Sequence, residues 1–245
     1  MDFSARSYKK ELLDRNDIPF DDIRQNMREL DFINTMLGGH KITLDGLRAV
    51  IKTMKQGREG NSEKLSILEI GCGGGDNLRV IKKFCQKKNI AVQLAGVDIN
   101  RHCIEFARSR KENNGIQFIC SDYKLINPSP KPDIIFNSLF CHHFADKEMI
   151  EILSWMKNHS GAGFFINDLH RHPFAYYSIK WLTRLFSKSY LVKNDAPLSV
   201  LRGFKRKELE MFCKAVLADN AHCSINNAQL EWRWAFRWLL ISFND

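Results

Sequence analysis

The 245-residue sequence has no apolar run approaching the roughly eighteen residues that a membrane-spanning helix needs. Its seven cysteines are scattered along the chain and form no C-x-x-C pair, which suits small core residues in a reducing compartment. There is no internal repeat and no low-complexity tract. The first six residues carry no apolar stretch of the kind a secretion signal needs, so a soluble, cytoplasmic protein is expected. Acidic residues are the scarcer sign of charge, 28 against 37 basic ones, for a formal net charge of +9. The basic residues are nevertheless dispersed. Lys205-Arg206-Lys207 is followed directly by Glu208 and Glu210, the pattern of a solvated face, and nucleic acid is not the expected partner.

What the chain does have is glycine in one place. Ile67-Leu68-Glu69-Ile70 is an apolar run that ends in Gly71-Cys72-Gly73-Gly74-Gly75-Asp76. This reads as a buried strand turning tightly into a helix, with backbone N–H groups free to approach a ligand. A dinucleotide loop requires G-x-G-x-x-G, but Asp76 occupies the sixth position, and no Lys-Ser/Thr pair follows as a P-loop requires. A redox dinucleotide domain that has lost its fingerprint stays open as an alternative. The pattern that is present, Glu69-x-Gly71-x-Gly73-x-Gly75, resembles the first motif of the class I S-adenosylmethionine-dependent methyltransferases.

Two further strand ends carry matching residues. Residues 91–98 read as the next strand with Asp98 at its carboxyl end, 27 residues after Gly71, placed to accept hydrogen bonds from ribose hydroxyls. A third strand, 116–120, ends at Ser121-Asp122-Tyr123. In the family an acidic residue here bonds the adenine amino group, and Asp122 is the matching position; a turn-capping role is the other reading. The resemblance implies S-adenosylmethionine as cofactor, held by Glu69, Gly71, Cys72, Gly73, Gly75, Asp98, Ile99, Asp122 and Tyr123. Asn137 falls on the fourth-strand motif that lies along the cofactor, though a polar residue also ends strands for purely structural reasons. Arg28 is placed either at the methionine carboxylate or on the surface of an amphipathic helix. The N-P-P-Y-type element of many nucleic-acid amino methyltransferases is missing.

The expected fold is α/β: a Rossmann-like, seven-stranded, mostly parallel sheet with a helical N-terminal lid and a helical insertion after strand five. The lid takes residues 1–60 and the methyltransferase core 61–245, with a substrate cap at 169–203. Strands four and five are placed at 133–140 and 163–166, strand six at 223–225 and strand seven at 231–241, where Trp232, Trp234 and Phe236 alternate with arginines at period two.

The loops after strands four and five bring His142, His143, His170 and His172 toward the crevice. His170, His172 and His142 are the candidate catalytic residues, because a neutral imidazole takes a proton as a phenol attacks the sulfonium methyl. The competing reading is that the histidines only orient loops and that alignment supplies the rate. A metal site built from these histidines and Asp168 matches no standard zinc spacing, and none is expected. Within the insertion, residues 173–186 are aromatic and helical in period, with Lys180, Arg184 and Lys188 along one side. It reads as a cap over an aromatic or lipid-like acceptor that also suits peripheral contact with a membrane surface, or as a helix packed on the fold with a solvated face. The segment Asn167-Asp168-Leu169-His170-Arg171-His172-Pro173 resembles bacterial secondary-metabolite methyltransferases. The resulting expectation is methyl transfer to a small molecule, an aromatic or polyketide-like hydroxyl. The alternatives are a prenylated quinone or other lipid, and a non-catalytic cofactor-binding subunit.

Overall fold

The computed structural model describes residues 1–15, 17–57, 64–217 and 228–244. After an extended N-terminal segment with one short 3-10 turn, two helices, α1 (Phe20–Met36) and α2 (Gly39–Gly57), precede the sheet. The core then alternates β1 (Leu65–Ile70), α3 (Asp76–Lys87), β2 (Val92–Asp98), α4 (Arg101–Ser109), β3 (Gln117–Cys120), β4 (Ile134–Ser138), α5 (Asp146–His159) and β5 (Gly163–Leu169). Three helices follow, α6 (Pro173–Phe186), α7 (Tyr190–Arg202) and α8 (Arg206–Leu217), before the hairpin of β6 (Ala228–Arg233) and β7 (Arg237–Phe243).

The seven strands are ordered β3-β2-β1-β4-β5-β7-β6. All pairs are parallel up to β5; β7 runs antiparallel to both β5 and β6. Central β4 is buried along its whole length, as a parallel strand covered on both faces must be. One face packs α5 and α8 through Ile152, Met156, Leu209 and Phe212 against Leu68, Ile135 and Leu240. The other packs α2 and α3 through Leu47, Val50, Leu78 and Ile81 against Ile67, Phe136 and Phe165, whose rings stack 4.9 Å apart. Each such side chain contributes about 1.5–3 kcal/mol by leaving water, so these two layers dominate the fold. The cluster under α1 is much smaller, built around Ile23, Met27 and Phe106. Polar bonds therefore carry more of α1's docking.

The expected α/β sheet with seven strands is present. The hairpin differs from the sequence reading, however, because residues 231–241 are two strands. Residues 234–236 form a tight turn with Phe236 at φ 56°, so the alternation of tryptophan and arginine runs on through a reversal of direction. The strand expected at 223–225 lies outside the described residues.

Candidate active site

The carboxyl ends of β1, β2 and β3 line up side by side, and the loop from β1 to α3 sits above them. Gly71, Gly73 and Gly75 all have positive φ, at 68°, 48° and 73°. Gly71 also has no room for a side chain, since a Cβ there would stand 2.0 Å from Cδ2 of Phe140. Asp98 braces this loop. Its Oδ2 accepts the Gly73 N–H at 2.8 Å and its Oδ1 the Asn100 N–H at 2.8 Å. Burial pushes its carboxyl pKa up, a shift that these two N–H donors oppose.

A cavity of about 200 Å³ opens beside the loop, lined by Gly71, Asp98, Ile99, Asp122, Tyr123 and Phe140, among others. One oxygen of Asp122 accepts the Lys124 N–H at 2.9 Å and caps a short 3-10 turn, and the residue also lines the cavity. Tyr123 is buried, with its ring edge-on to Phe140, Phe144 and Trp155, and burial raises its hydroxyl pKa. Ile99 is 73 % exposed at the rim. Cys72 is buried beneath the loop and faces Gly96 on β2.

Glu69 lies on the α3 side of β1 and is fully enclosed. Asn77 donates to its Oε1 at 3.1 Å, and Oε2 has no partner. Burial, with Asp76 and Asp98 adding to it, raises its pKa well above the usual carboxylate range. The carboxylates of Asp98 and Asp122, at the ends of β2 and β3, line the cavity beside the glycine loop and suit a ligand rich in hydrogen-bond donors, whereas Glu69 is enclosed away from it.

Two of the expected cofactor contacts are corrected. Strand alternation turns Asn137 away from the cavity into the core, where it bonds the Met156 sulfur and accepts from the Cys141 thiol, both at 3.3 Å. Arg28 points outward from α1; the neighbouring Met27 instead faces the loop, 3.4 Å from the positions that a Cβ on Gly73 or Gly74 would take. Sequence reading also missed His40, whose Nε2 lies 2.8 Å from Asp76 Oδ2 and ties α2 to the first turn of α3. Burial alone would raise the Asp76 pKa, but His40 and Asn34 hold it below the ordinary value. Arg79 completes this clamp, bonding Asp31 of α1 at 2.5 Å and Asn113 at 3.0 Å. A histidine thirty-one residues before Gly71 gives no motif signal; the fold alone brings it in.

The histidines fall into two groups. His142 is buried, with Nδ1 2.7 Å from Asp168 and Nε2 3.5 Å from Glu11. Burial opposes its charged form, but the two carboxylates outweigh this and raise its pKa to about 9. It is therefore an imidazolium at neutral pH, with neither ring nitrogen free to receive a proton. This corrects the expectation of His142 as a base. His143 joins the same group, its Nδ1 3.1 Å from Asp14 and its Nε2 3.8 Å from Glu11.

His170 and His172 form the second group, at the end of β5. The indole N–H of Trp232 donates to Nδ1 of His170 at 3.2 Å, and burial, His172 and Arg171 push the His170 pKa down to about 4. Nδ1 of His172 accepts the Phe174 N–H and caps α6. The ring of His172 stacks on Phe236 at 4.8 Å.

Arg171, between them, is 1 % exposed and bonds the carbonyls of Phe3, Ser4 and Gly203 and both oxygens of Glu208. Arg6 and Arg202 act alike: Arg6 reaches the carbonyls of Arg202, His142 and Phe144, and Arg202 those of His142, His143 and Lys9. The N-terminal segment is thereby laced to the loops that carry both histidine groups.

The strand order, the glycine loop and the acidic residues at the ends of β2 and β3 define the class I methyltransferase fold. Residues 67–163 match the family described as a methyltransferase domain, a stretch that contains the loop, Asp98 and Asp122. The chain therefore has the class I methyltransferase fold, and the family match is confined to its central part. Among curated protein sequences none matches this chain. Similar solved structures share the fold at low identity. The plantazolicin methyltransferase BpumL, in complex with a monoazolic desmethylPZN analog and SAH, has a TM-score of 0.63 at 19 % identity, covering 92 % of this chain and 89 % of that one. Human N-acetylserotonin methyltransferase with SAM gives 0.59 at 16 %, over 92 % of this chain and 56 % of that one. The magnesium protoporphyrin IX methyltransferase ChlM from Synechocystis PCC 6803 with SAM gives 0.55 at 13 %, over 94 % and 93 %.

Proposed function

We propose that this chain is a class I S-adenosylmethionine-dependent methyltransferase that modifies a small molecule, an aromatic or polyketide-like compound carrying a hydroxyl group. The observation that carries the reading is a ring cluster at the carboxyl end of β5. Phe236 stacks on His172 and lies 5.8 Å from Phe174 and 6.0 Å from Trp232, a setting suited to a flat acceptor. The fold neighbours act on, or are solved with, acceptors as unlike as a desmethylPZN analog and a porphyrin, so the acceptor is argued from this chain's own residues.

S-adenosylmethionine supplies a methyl group activated by its sulfonium. Asp98 and Asp122 hold the nucleoside end, and Phe140 and Tyr123 close the cavity against water. His170 remains the histidine nearest to acceptor chemistry in this reading, with His172 setting the start of α6. An imidazole whose conjugate acid has a pKa of about 4 is a weak base, so the acceptor hydroxyl gives its proton to solvent, alignment supplies most of the rate and His170 orients the acceptor oxygen through its Nε2–H. The N-terminal segment and the helices α6 and α7 act as lid and cap.

A second reading, a prenylated quinol or other lipid-like acceptor, is favoured by the outward apolar face of α6, where Trp181 and Leu185 are 63 % and 69 % exposed. The test is incubation with methyl-labelled S-adenosylmethionine and a panel of phenols, polyketide-like hydroxyls and prenylated quinols, with mass spectrometry of the products. A labelled methyl ether on a phenol or polyketide supports the first reading, and label confined to the quinols the second. Label in none of them, from a protein that binds S-adenosylhomocysteine, overturns both and leaves a cofactor-binding subunit.

A further inference from the structure

Helix α6 is amphipathic in the wrong sense for a helix that serves only the core. Its buried side is narrow, made by Ala175, Tyr176 and Thr183. Its large apolar residues face out: Phe174, Tyr177, Trp181, Leu182, Leu185 and Phe186 are between 44 % and 77 % exposed. Four of them, 174, 177, 181 and 185, recur at the three- and four-residue spacing that places side chains along one helix face. The patch continues onto the β6–β7 hairpin, since Phe174 and Trp232 both pack on Phe236, and Trp234 at the hairpin turn is 72 % exposed. Exposed apolar surface of this extent marks an interaction site.

Charge selects the partner. Lys180 and Arg184 stand on one flank of the apolar stripe and Lys188 follows just beyond the helix, while residues 173–190 contain no Asp or Glu. Among the described residues the side chains of Arg184 and Lys188 pair with no carboxylate. In a second copy of this chain docked across a two-fold axis, the same three cations would approach their own counterparts. An anionic bilayer satisfies both halves of the surface, taking the aromatic and aliphatic side chains into the interface and the basic ones among its headgroups. We propose that α6 and the hairpin turn dock this protein on an anionic lipid surface. The helix begins at Pro173, a few residues after β5 ends at Leu169, so docking holds the carboxyl end of the sheet close to the bilayer. This inference does not rest on which acceptor is methylated.

The experiment is co-sedimentation of the full chain, without cofactor, with vesicles of phosphatidylcholine alone and of phosphatidylcholine with 30 % phosphatidylglycerol, alongside light scattering to read the oligomeric state. Binding at least tenfold tighter to the anionic vesicles is expected, weakening as salt is raised. W181S/L185S should reduce it by more than tenfold, and K180E/R184E should remove the preference for anionic lipid. Both double variants alter exposed positions, and an unchanged thermal midpoint shows that they fold. Absence of vesicle binding by the parent chain overturns the proposal. So does a dimer that W181S/L185S converts to monomer while vesicle binding stays the same, which would assign the face to a second copy.

Discussion

Nδ1 of His142 and Oδ1 of Asp168 lie 2.7 Å apart, joining the loop after β4 to the last turn of β5 inside the protein. With Glu11 on the other side of the ring, the imidazole sits between two carboxylates drawn from opposite ends of the chain. Its folded pKa of about 9 stands above the ordinary value of 6.5. The stabilisation is therefore fully present below pH 6.5 and is lost as pH rises through 9, an effect on the order of 3 kcal/mol. Thermal unfolding should show a lower midpoint at pH 9.5 than at pH 7. In Asp168→Asn the midpoint should already be reduced at pH 7 and the further fall to pH 9.5 should be smaller. Equal falls in the two proteins would refute the assignment.

The glycine loop depends on Asp98 for its shape. Asp98→Ala removes a carboxylate that bonds two backbone N–H groups, interactions worth about 1.5–3 kcal/mol each when one partner is charged. Calorimetric titration should show S-adenosylhomocysteine binding weakened at least tenfold, with no binding of NADH to either protein. Gly71→Ala should be worse than Asp98→Ala, because its methyl group collides with Phe140 at a positive φ. Wild-type affinity in either variant would mean that the cofactor lies elsewhere.

Arg171 is a buried cation bonded to Glu208 and three carbonyls. Arg171→Met leaves those acceptors unpaired, at a cost of about 3–5 kcal/mol, which corresponds to a midpoint lower by roughly 10 °C in a chain of this size. A shift under 2 °C by differential scanning calorimetry would show that the N-terminal lacing contributes little.

His170 is neutral throughout the physiological range, so its ionisation should not appear in a pH–rate profile between pH 5.5 and 8.5. Trp232→Phe removes the donor to Nδ1 and should allow the other tautomer without changing that flat region. An acidic limb with an apparent pKa near 6.5 that vanishes in His170→Ala would instead make His170 the general base.

The sheet was readable because its signals are local. Apolar runs ending in Gly71, Asp98 and Asp122 mark three strand ends in order, and each of the last two carboxylates sits at the cavity. Misreadings arose where local signals are silent. Asn137 occupies a motif position, yet the two-residue period of β4 decides which face receives its amide. Arg28 and Met27 are adjacent on one helix, and only the packing of α1 against Phe106 selects Met27. The ring pattern of 232–236 looked like one strand because a reversal at residues 234–236 does not interrupt a period of two. The roles of Glu11 and His40 had no sequence signal at all, since each meets its partner across more than thirty residues.

The grip of Arg171 and Arg202 on the N-terminal segment falls on carbonyl oxygens, at Phe3, Ser4 and Lys9. A clasp of that kind reads the path of the main chain and ignores what the chain displays. Side chains at Ser4 and Lys9, both exposed, are therefore open to drift without loosening the closure over the histidine loops, whereas a shift of register by one residue would move every oxygen out of reach at once.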